Sequence, residues 1–239
     1  MIGVIRVIAL LLLSIVVMQG QVTQGKIVYE RKTNLFKKFK EGWSREWIKE
    51  KDKTKVDVFE LYFNDSLSVF KPEESDIKDK MSWTTSRNSV YQDLKHNKRL
   101  TIKSIWGENV YVQDSLWQRK WKVTESKRTI CGYLCRKAIW QLNDTTRMYA
   151  WYCNEISTSV GPESFTGLPG AILGLATEDG GVIYFAKKVE LTRQEPEMLV
   201  PKKIRSHIYA TSELRSRFQK EYGKEEWGKE FIHENFDIW

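Results

Sequence analysis

The chain has 239 residues, of which 41% are hydrophobic, 13% aromatic and 29% charged. This composition excludes a disordered chain, a collagen-like repeat and a protein with many membrane spans, and the length suits one large domain. Thirty-nine Lys and Arg against 31 Asp and Glu give a net charge of +8. That excess suits either an acidic partner, such as an anionic lipid or polysaccharide, or an ordinary solvated surface.

An uncharged, mostly apolar run covers residues 7–18, directly after Arg6. Its length is typical of the hydrophobic region of a signal peptide and falls short of the ~20 residues that a membrane-spanning helix needs. Gly20 supplies a small residue for cleavage, so we expect the mature chain to begin at Gln21. The sequence thus predicts a signal peptide over residues 1–20 and one exported domain over 21–239. The alternative is an uncleaved anchor over residues 2–18, with Arg6 reaching the membrane surface.

Segments of alternating apolar and polar residues follow one another along the mature chain, separated by short turns. In residues 55–63, Phe59 and Leu61 share one face with Asp57, while Val58 and Tyr62 lie on the other. Asn64-Asp65 then turns the chain into the next strand, as in a hairpin. Further strands are predicted over residues 26–31, 66–70, 88–95, 99–106, 110–113, 116–124, 130–142, 147–156, 171–176 and 182–191.

These patterns predict a mainly antiparallel β fold of about ten strands, forming a curved sheet or a partly closed barrel. No repeated βαβ pattern is present, which excludes a doubly wound nucleotide-binding fold. A C-terminal helix is predicted over residues 212–233, which makes the fold α+β by count. Ser212 is the expected N-cap, and Leu214, Phe218 and Tyr222 form a stripe that we expect to pack on the sheet. Residues 35–53 and 72–82 are predicted connectors.

Three motifs lie within residues 131–175: GY-x-C-x-K-A at 132–138, AWY-x-x-E-I at 150–156 and GP-x-x-F-x-GLPG-x-I at 161–172. In this order they resemble the GLPGLI family, exported proteins of Bacteroidota that are named for the last motif. The chain departs from the family pattern at Ala171, where the name has Leu, and at Cys153, where Thr is common. The resemblance implies a cell-envelope protein of unassigned function and offers no cofactor or catalytic residue to carry over.

The third motif is dense in residues that fix or free the backbone, namely Gly161, Pro162, Gly167, Pro169 and Gly170. Proline fixes φ and glycine permits positive φ, so two tight turns are predicted on either side of Phe165, with Leu168 beside it. Such a loop either plugs one end of the curved sheet or forms a rigid wall of a binding mouth. The candidate binding residues are Trp151, Glu155, Phe165 and Leu168.

Three cysteines in an exported chain permit one disulfide and leave one thiol. If the turn after Leu142 has three residues and Leu142 pairs with Thr146, Cys135 faces Cys153 on the neighbouring strand. With a four-residue turn, Cys153 faces Arg136 instead. Cys131 and Cys135 lie four residues apart on one predicted strand, about 13 Å, which is too far for a bond. We therefore predict a Cys135–Cys153 disulfide.

Other chemistries are also open to this sequence. Cys131, Cys135, Cys153 and Met148 form a possible soft-metal site, although no histidine is near them in the sequence. A cysteine nucleophile needs a histidine base, and His96, His207 and His233 carry no flanking signature. Glu155 and Glu163 beside Trp151 are a possible acid pair for glycoside hydrolysis.

The sequence favours a non-enzymatic binding or assembly protein in the periplasm or on the outer membrane. Its expected partner is an envelope protein, a lipid or a polysaccharide, with no nucleic acid and no cofactor. A periplasmic hydrolase that uses Glu155 and Glu163, and a soft-metal-binding protein that uses the cysteines, are the alternatives.

Overall fold

The computed structural model describes residues 23–40, 43–74 and 79–239. The predicted signal peptide and its cleavage site lie outside these residues. Among the described residues, none of the helices combines the length and the apolar character needed to cross a membrane.

The described chain forms one 12-stranded sheet. Its strands are β1 (Gly25–Asn34), β2 (Thr54–Phe63), β3 (Leu67–Pro72), β4 (Ser89–Asp93), β5 (Lys98–Ile105), β6 (Glu108–Ser115), β7 (Trp121–Ile130), β8 (Tyr133–Gln141), β9 (Arg147–Cys153), β10 (Ala171–Thr177), β11 (Val182–Glu190) and β12 (Ile208–Tyr209). The α-helices are α1 (Leu35–Lys38), α2 (Trp43–Glu46), α3 (Thr211–Tyr222) and α4 (Glu226–Ile232), and 3₁₀ turns cover Glu50–Asp52, Ser82–Thr84 and Pro196–Leu199.

The strand order is β12-β6-β5-β4-β3-β2-β1-β11-β10-β9-β8-β7. Two antiparallel meanders, β1–β6 and β7–β11, meet where β1 pairs with β11, and β12 adds to β6 in parallel. The predicted mainly antiparallel, curved sheet is confirmed. It is an open sheet with β7 and β12 at its edges.

Two predicted strands have different bounds. The strand predicted over residues 116–124 is β7 and extends to Ile130, and the strand predicted over 130–142 is β8 and begins only at Tyr133. Cys131 and Gly132 make the turn between them, with φ of 51° and 85°. A two-residue turn with both residues at positive φ matches the twist of a hairpin, which explains why the chain reverses here.

The sheet buries one face, which we call the inner face. In β2 the alternation is as predicted, since Phe59 and Leu61 are fully buried while Val58 and Tyr62 are partly exposed on the outer face. The ring of Phe59 stacks on Phe70 of β3, with centroids 4.9 Å apart. The core therefore lies between the inner face and the loops and helices that cover it.

The predicted C-terminal helix is present but is divided into α3 and α4. The N-cap is Ala210 rather than Ser212, and the N–H of Thr211 donates to Asp114 Oδ2 of β6 at 2.8 Å. The sheet itself thus caps the helix. A π-helical turn, His233–Ile238, carries the chain from α4 back over the inner face.

The apolar stripe of α3 packs on the sheet, as predicted, and also beyond it. Leu214 and Phe218 pack in one cluster with Val112 of β6. The rings of Phe218 and Tyr222 also contact Trp106, at the tip of the β5–β6 hairpin, with centroids 5.6 and 5.4 Å away. The stripe therefore extends past the sheet to its hairpin tip.

Candidate functional site

The inner face of the sheet changes from apolar to polar along β1 and β2. On β1, Tyr29 is followed on the same face by Arg31, and the register places Phe59 opposite Tyr29 and Asp57 opposite Arg31. Arg31 is 5% exposed and Asp57 6%. Because buried charges cost free energy unless they are paired, this end of the sheet is a built polar site rather than core.

Arg31 and Asp57 form the centre of this polar site. Arg31 donates to Asp57 Oδ2 at 2.7 Å, and its guanidinium lies 4.0 Å from the carboxylate of Glu163. Asp57 also accepts hydrogen bonds of 2.9 Å from Lys55 Nζ and from Thr85 Oγ1. Burial acts to raise the pKa of Asp57, but the charge of Arg31 and the hydrogen bond from Lys55 outweigh it and lower that pKa. Asp57 is therefore held as a carboxylate.

The 161–170 loop crosses the inner face and supplies the next side chains. Phe165 is fully buried and Leu168 is 3% exposed. Arg119, also buried, donates to the backbone oxygen of Ser164 at 2.9 Å and to its Oγ at 3.0 Å. The guanidinium of Arg119 lies 3.8 Å from the centroid of the Phe165 ring, a cation–π contact. These contacts fix the loop against the sheet.

Glu163 is the acid that this loop places in the polar site. Its φ is 53°, in the left-handed region, and it is 3% exposed. Its carboxylate accepts a 2.8 Å hydrogen bond from the Tyr184 hydroxyl. Burial raises the pKa of Glu163, even though Arg31, Tyr184 and Asn88 act to lower it. A buried acid on strained backbone among polar groups is typical of a functional site.

The C-terminal residues cover this polar site. The ring of Trp239 packs against Phe165 and Tyr184, with centroids 5.6 and 5.8 Å apart. Lys38, at the end of α1, pairs with Glu234 at 2.6 Å. The site therefore lies between the sheet, the 161–170 loop and the C-terminal turn.

A buried lysine on β5 holds the C-terminal turn in place. Lys103 is 4% exposed and donates to the backbone oxygens of Asn235, at 2.6 Å, and Trp239, at 3.4 Å. Its ammonium also lies 5.5 Å from the centroid of the Phe236 ring. Burial lowers the pKa of Lys103 to about 8, an effect that the nearby Glu163 opposes.

These elements enclose a narrow cleft with a volume of about 20 Å³, which has room for a water-sized group. Within the described chain, Asn88 is 2% exposed and its Oδ1 has no hydrogen-bond partner. A buried amide oxygen without a donor is costly and marks a place for a water or a ligand. The cleft is lined by Arg31, Thr33, Lys38, Thr85, Ser86, Asn88, Glu163, Val182, Tyr184, Glu234, Asn235 and Trp239.

The four candidate binding residues from the sequence do not form one site. Phe165 and Leu168 are buried on the inner side, whereas Trp151 lies on the outer face, with its ring centroid 5.9 Å from that of Phe185. Glu155 is exposed at the start of the loop that follows β9. Strand alternation explains the separation, because Trp151 and its buried neighbour Tyr152 point to opposite faces.

The acid pair proposed from the sequence is also not formed. Glu163 is buried against Arg31 and Tyr184, while Glu155 is exposed and influences the pKa of Cys153. Two acids in such different surroundings do not face one substrate bond.

The β8–β9 register is the one on which the disulfide prediction depended. Arg136 pairs with Tyr152, and Leu142 donates to the backbone oxygen of Thr146 at 3.0 Å, so the turn has three residues. One step further along this register, Cys135 faces Cys153. Both cysteines are buried, and a hydrogen bond between them raises the pKa of Cys135 and lowers that of Cys153. They are free thiols in this structure, so the predicted bond is not present in it.

Cys131 lies near this pair, and its thiol helps to raise the pKa of Cys135. It occupies the β7–β8 turn, not the strand predicted for it, and its Sγ donates to the backbone oxygen of Ala186 at 3.1 Å. Met148 lies on the inner face, opposite Trp140, whereas Cys153 has the opposite parity on β9. Over the ranges that the structure describes, no three His, Cys, Asp or Glu residues are arranged to hold a metal. The soft-metal alternative therefore has no geometric support.

Sequence patterns did not reveal most of the residues that line the cleft. A signal was present in β1 and β2, where Arg31 and Asp57 occupy the same alternating face as Tyr29 and Phe59. A charged residue at a core-facing position indicates either that the predicted strand alternation is wrong or that the residue belongs to a functional cluster. The sequence around Asn88 and Trp239 carries no comparable pattern, since these residues reach the cleft only when the chain folds.

Comparison with known proteins gives a short family match and a fold. A profile described as "Protein of unknown function (Porph_ging)" matches residues 140–174, and no curated protein matches the chain. Among solved structures, PNGF-II in its C2 crystal form aligns with a TM-score of 0.52 and 16% identity, over 79% of this chain and 31% of that chain. The P21 crystal form of PNGF-II aligns with a TM-score of 0.51 and 15% identity, over 79% of this chain and 31% of that chain.

An uncharacterized conserved protein from Thermus thermophilus aligns with a TM-score of 0.43 and 9% identity, over 84% of this chain and 98% of that chain. The chain spans less than a third of PNGF-II. At 16% identity, the likeness to PNGF-II is one of fold alone.

Proposed function

We propose that the mature protein is an exported, non-enzymatic binding protein of the GLPGLI type, which takes its ligand into the inner-face cleft. The observation that carries this proposal is the unpartnered Oδ1 of Asn88, buried in a cleft beside the strained acid Glu163. A cleft with convergent polar groups and a perturbed acid is the usual form of a binding site.

The motif that defines the GLPGLI resemblance builds this cleft. Residues 161–170 hold Glu163 toward Arg31 and Tyr184, and the unknown-function family profile covers the same loop. The apolar run before Gly20 supports export and cleavage at that point. An oxidising compartment also supports closure of the Cys135–Cys153 bond, since the two residues are already opposite each other.

The contacts in the cleft favour binding over hydrolysis. A glycosidase needs two carboxyl groups that flank one bond, and the Glu155 of the sequence-based pair is exposed elsewhere. The other carboxylate in the cleft belongs to Glu234, which is held in an ion pair with Lys38. Glu163 itself is used to hold Tyr184 and Arg31.

Retention of envelope components tests this function. Protein that starts at Gln21 is incubated with a lipid and saccharide extract of envelopes, washed and analysed by mass spectrometry. We expect one class of molecule to be retained chemically unchanged by the wild type and by Asn109→Ala, an exposed control, and lost from Asn88→Ala. Retention that is equal in all three proteins, or a cleaved product, contradicts the proposal.

A further inference from the structure

We propose that the inner face holds a second site, in which Arg99 and Arg119 bind a small oxyanion, a carboxylate or phosphate group, beside the indole of Trp117. None of these three residues lines the cleft, so the inference goes beyond the proposed function.

Two positively charged side chains meet at this site. Arg99 lies on β5, on the same face as the buried Thr101 and Lys103. Arg119 lies in the segment between β6 and β7 and is 6% exposed. The guanidinium of Arg119 lies 4.6 Å, and that of Arg99 5.8 Å, from the centroid of the Trp117 ring. One indole therefore contacts both like charges.

Within the described chain, no acid pairs with Arg119. Its guanidinium donates to the backbone oxygen and the Oγ of Ser164, which are neutral acceptors. The rings of Trp117 and Phe165 lie against it, and aromatic rings attract a cation without cancelling its charge. Burial and the like charge of Arg99 lower the pKa of Arg119 to about 9. Since a buried charge is costly unless it is paired, the two arginines favour a bound anion.

The acid closest to Arg99 does not pair with it either. Asp114, opposite Arg99 on β6, acts to raise the pKa of Arg99, but burial outweighs this effect and lowers that pKa. The Asp114 carboxylate already accepts the N–H of Thr211 at the start of α3. Over the part of the chain that the structure describes, the two arginine charges therefore have one acid near them, and it is hydrogen-bonded elsewhere.

An unmet hydrogen bond indicates which group enters. The Nε of Arg119 is buried and, among the described residues, has no acceptor. Arg31 also has an unpartnered Nε, but Asp57 balances its charge at 2.7 Å. The group that enters beside Arg119 must therefore bring both an acceptor atom and a negative charge. Carboxylate and phosphate groups provide both, and their oxygens match the fork of N–H donors on a guanidinium.

The site opens to solvent through its partly exposed members. Arg99 and Trp117 are both partly exposed, whereas Arg119 and Ser164 are buried. The Ser164 hydroxyl accepts a hydrogen bond from Arg119 and keeps its own proton to donate. An oxyanion that enters beside Arg99 is therefore met by guanidinium and hydroxyl donors.

Defined anions test the site. Sodium phosphate, sulfate and acetate are each added to the mature chain at one ionic strength set with sodium chloride, and binding is measured by melting temperature and by calorimetric titration. A ligand that binds only the folded chain stabilises it, so we expect an oxyanion to raise the melting temperature above its value in chloride. A rise with acetate alone assigns a carboxylate, and a rise with phosphate and sulfate assigns a tetrahedral anion.

Variants locate the bound anion. Arg99→Gln removes one charge from the site and should weaken binding at least tenfold, the effect of one hydrogen bond to a charged group. Arg128→Gln is the matched control and should bind as the wild type does, because Arg128 is exposed and lies 5.5 Å from another indole, that of Trp151 on the outer face. Arg119→Lys keeps the charge without the fork of donors and should also weaken binding. Circular dichroism shows whether each variant is folded.

Three outcomes overturn the inference: no oxyanion binds more tightly than chloride, Arg99→Gln binds as well as Arg128→Gln, or the cleft variant Asn88→Ala abolishes oxyanion binding. The melting temperature of each variant is compared with and without the anion, so a general loss of stability does not count as lost binding. If oxyanions fail to bind but the envelope extract yields a ligand that depends on Asn88, only the arginine site fails. If oxyanions bind and the extract yields nothing, only the proposed function of the cleft fails.

Discussion

The Tyr184 hydroxyl on β11 donates a 2.8 Å hydrogen bond to Glu163 in the 161–170 loop. Both side chains are buried, and burial raises the pKa of each. The bond connects the central strand pair of the sheet to the motif that defines the family resemblance. It places an acid on strained backbone in the lining of the cleft.

Glu163→Gln should change the pH dependence of stability. The pKa of Glu163 is raised in the folded state, so above its ordinary value the folded chain keeps a proton that the unfolded chain releases. Stability is therefore lost as the pH rises through this window. Glutamine does not titrate, so the variant should gain stability relative to the wild type as the pH rises above the ordinary glutamate pKa of about 4, measured by urea unfolding.

The exposed acid Glu155 provides the control for that measurement. For Glu155→Gln, the difference from the wild type in the free energy of unfolding should stay constant across the same pH range. If the Glu163→Gln variant instead loses stability relative to the wild type as the pH rises, the carboxylate stabilises the fold through Arg31, contrary to the burial argument.

Lys103→Met should remove a rise in stability on the alkaline side. The folded-state pKa of Lys103 is about 8, below its ordinary value of 10.5, because the ammonium is buried. Between these two values the unfolded chain binds a proton that the folded chain does not, so the wild type gains stability as the pH rises, by up to about 3 kcal/mol. Denaturant unfolding at about pH 7.5, 9 and 10 should show a wild-type gain that Lys103→Met lacks.

Gly170→Ala should destabilise the protein more than Gly180→Ala does. Both glycines have positive φ, of 149° and 67°, so each substitution introduces backbone strain of about 1–2 kcal/mol. A Cβ at Gly170 also collides with the backbone oxygen of Cys153, whereas a Cβ at Gly180 meets only Ile183, at 4.0 Å. The prediction is checked by the free energies of unfolding. Equal losses would mean that the loop relaxes without cost.

Most strands could be predicted because they depend on local signals, such as the period-2 alternation that located β2. The turn after Leu142 left two β8–β9 registers open, and the structure has the three-residue turn that places Cys135 opposite Cys153. The break after Ile130 was missed because Cys131 and Gly132 lie within an otherwise strand-like run. The helix cap was missed because Asp114, distant in sequence, supplies it.

The cleft was only partly predictable. The GLPG motif indicated an important loop, and Phe165 and Leu168 are buried within it. Of the two acids proposed from the sequence, Glu163 lines the cleft and Glu155 does not. Arg31 pairs with Asp57 across two strands, and Trp239 arrives from the other end of the chain. Such contacts depend on topology, which the order of turns alone does not determine.

Export should remove residues 1–20. The apolar run before Gly20 and the small residue at that position predict cleavage there. Intact-mass measurement of protein extracted from envelopes should give a chain that begins at Gln21. A mass that includes the leader would support the anchor alternative and would place the domain at a membrane surface.

Protein made in an oxidising compartment should contain a Cys135–Cys153 disulfide. Directly opposite residues on antiparallel strands are within the range of Cα separations that a disulfide spans, and the register gives Cys135 no other cysteine to face on β9. The chain-entropy model predicts a stabilisation of about 3 kcal/mol for a loop of about 17 residues, and the β8–β9 turn makes the gain smaller because it already restricts the unfolded chain. Non-reducing peptide mapping should link the two peptides and leave Cys131, in its turn, free to alkylate. The Cys131→Ser variant should form the same bond, whereas a link between Cys131 and Cys153 in the wild type would contradict the register.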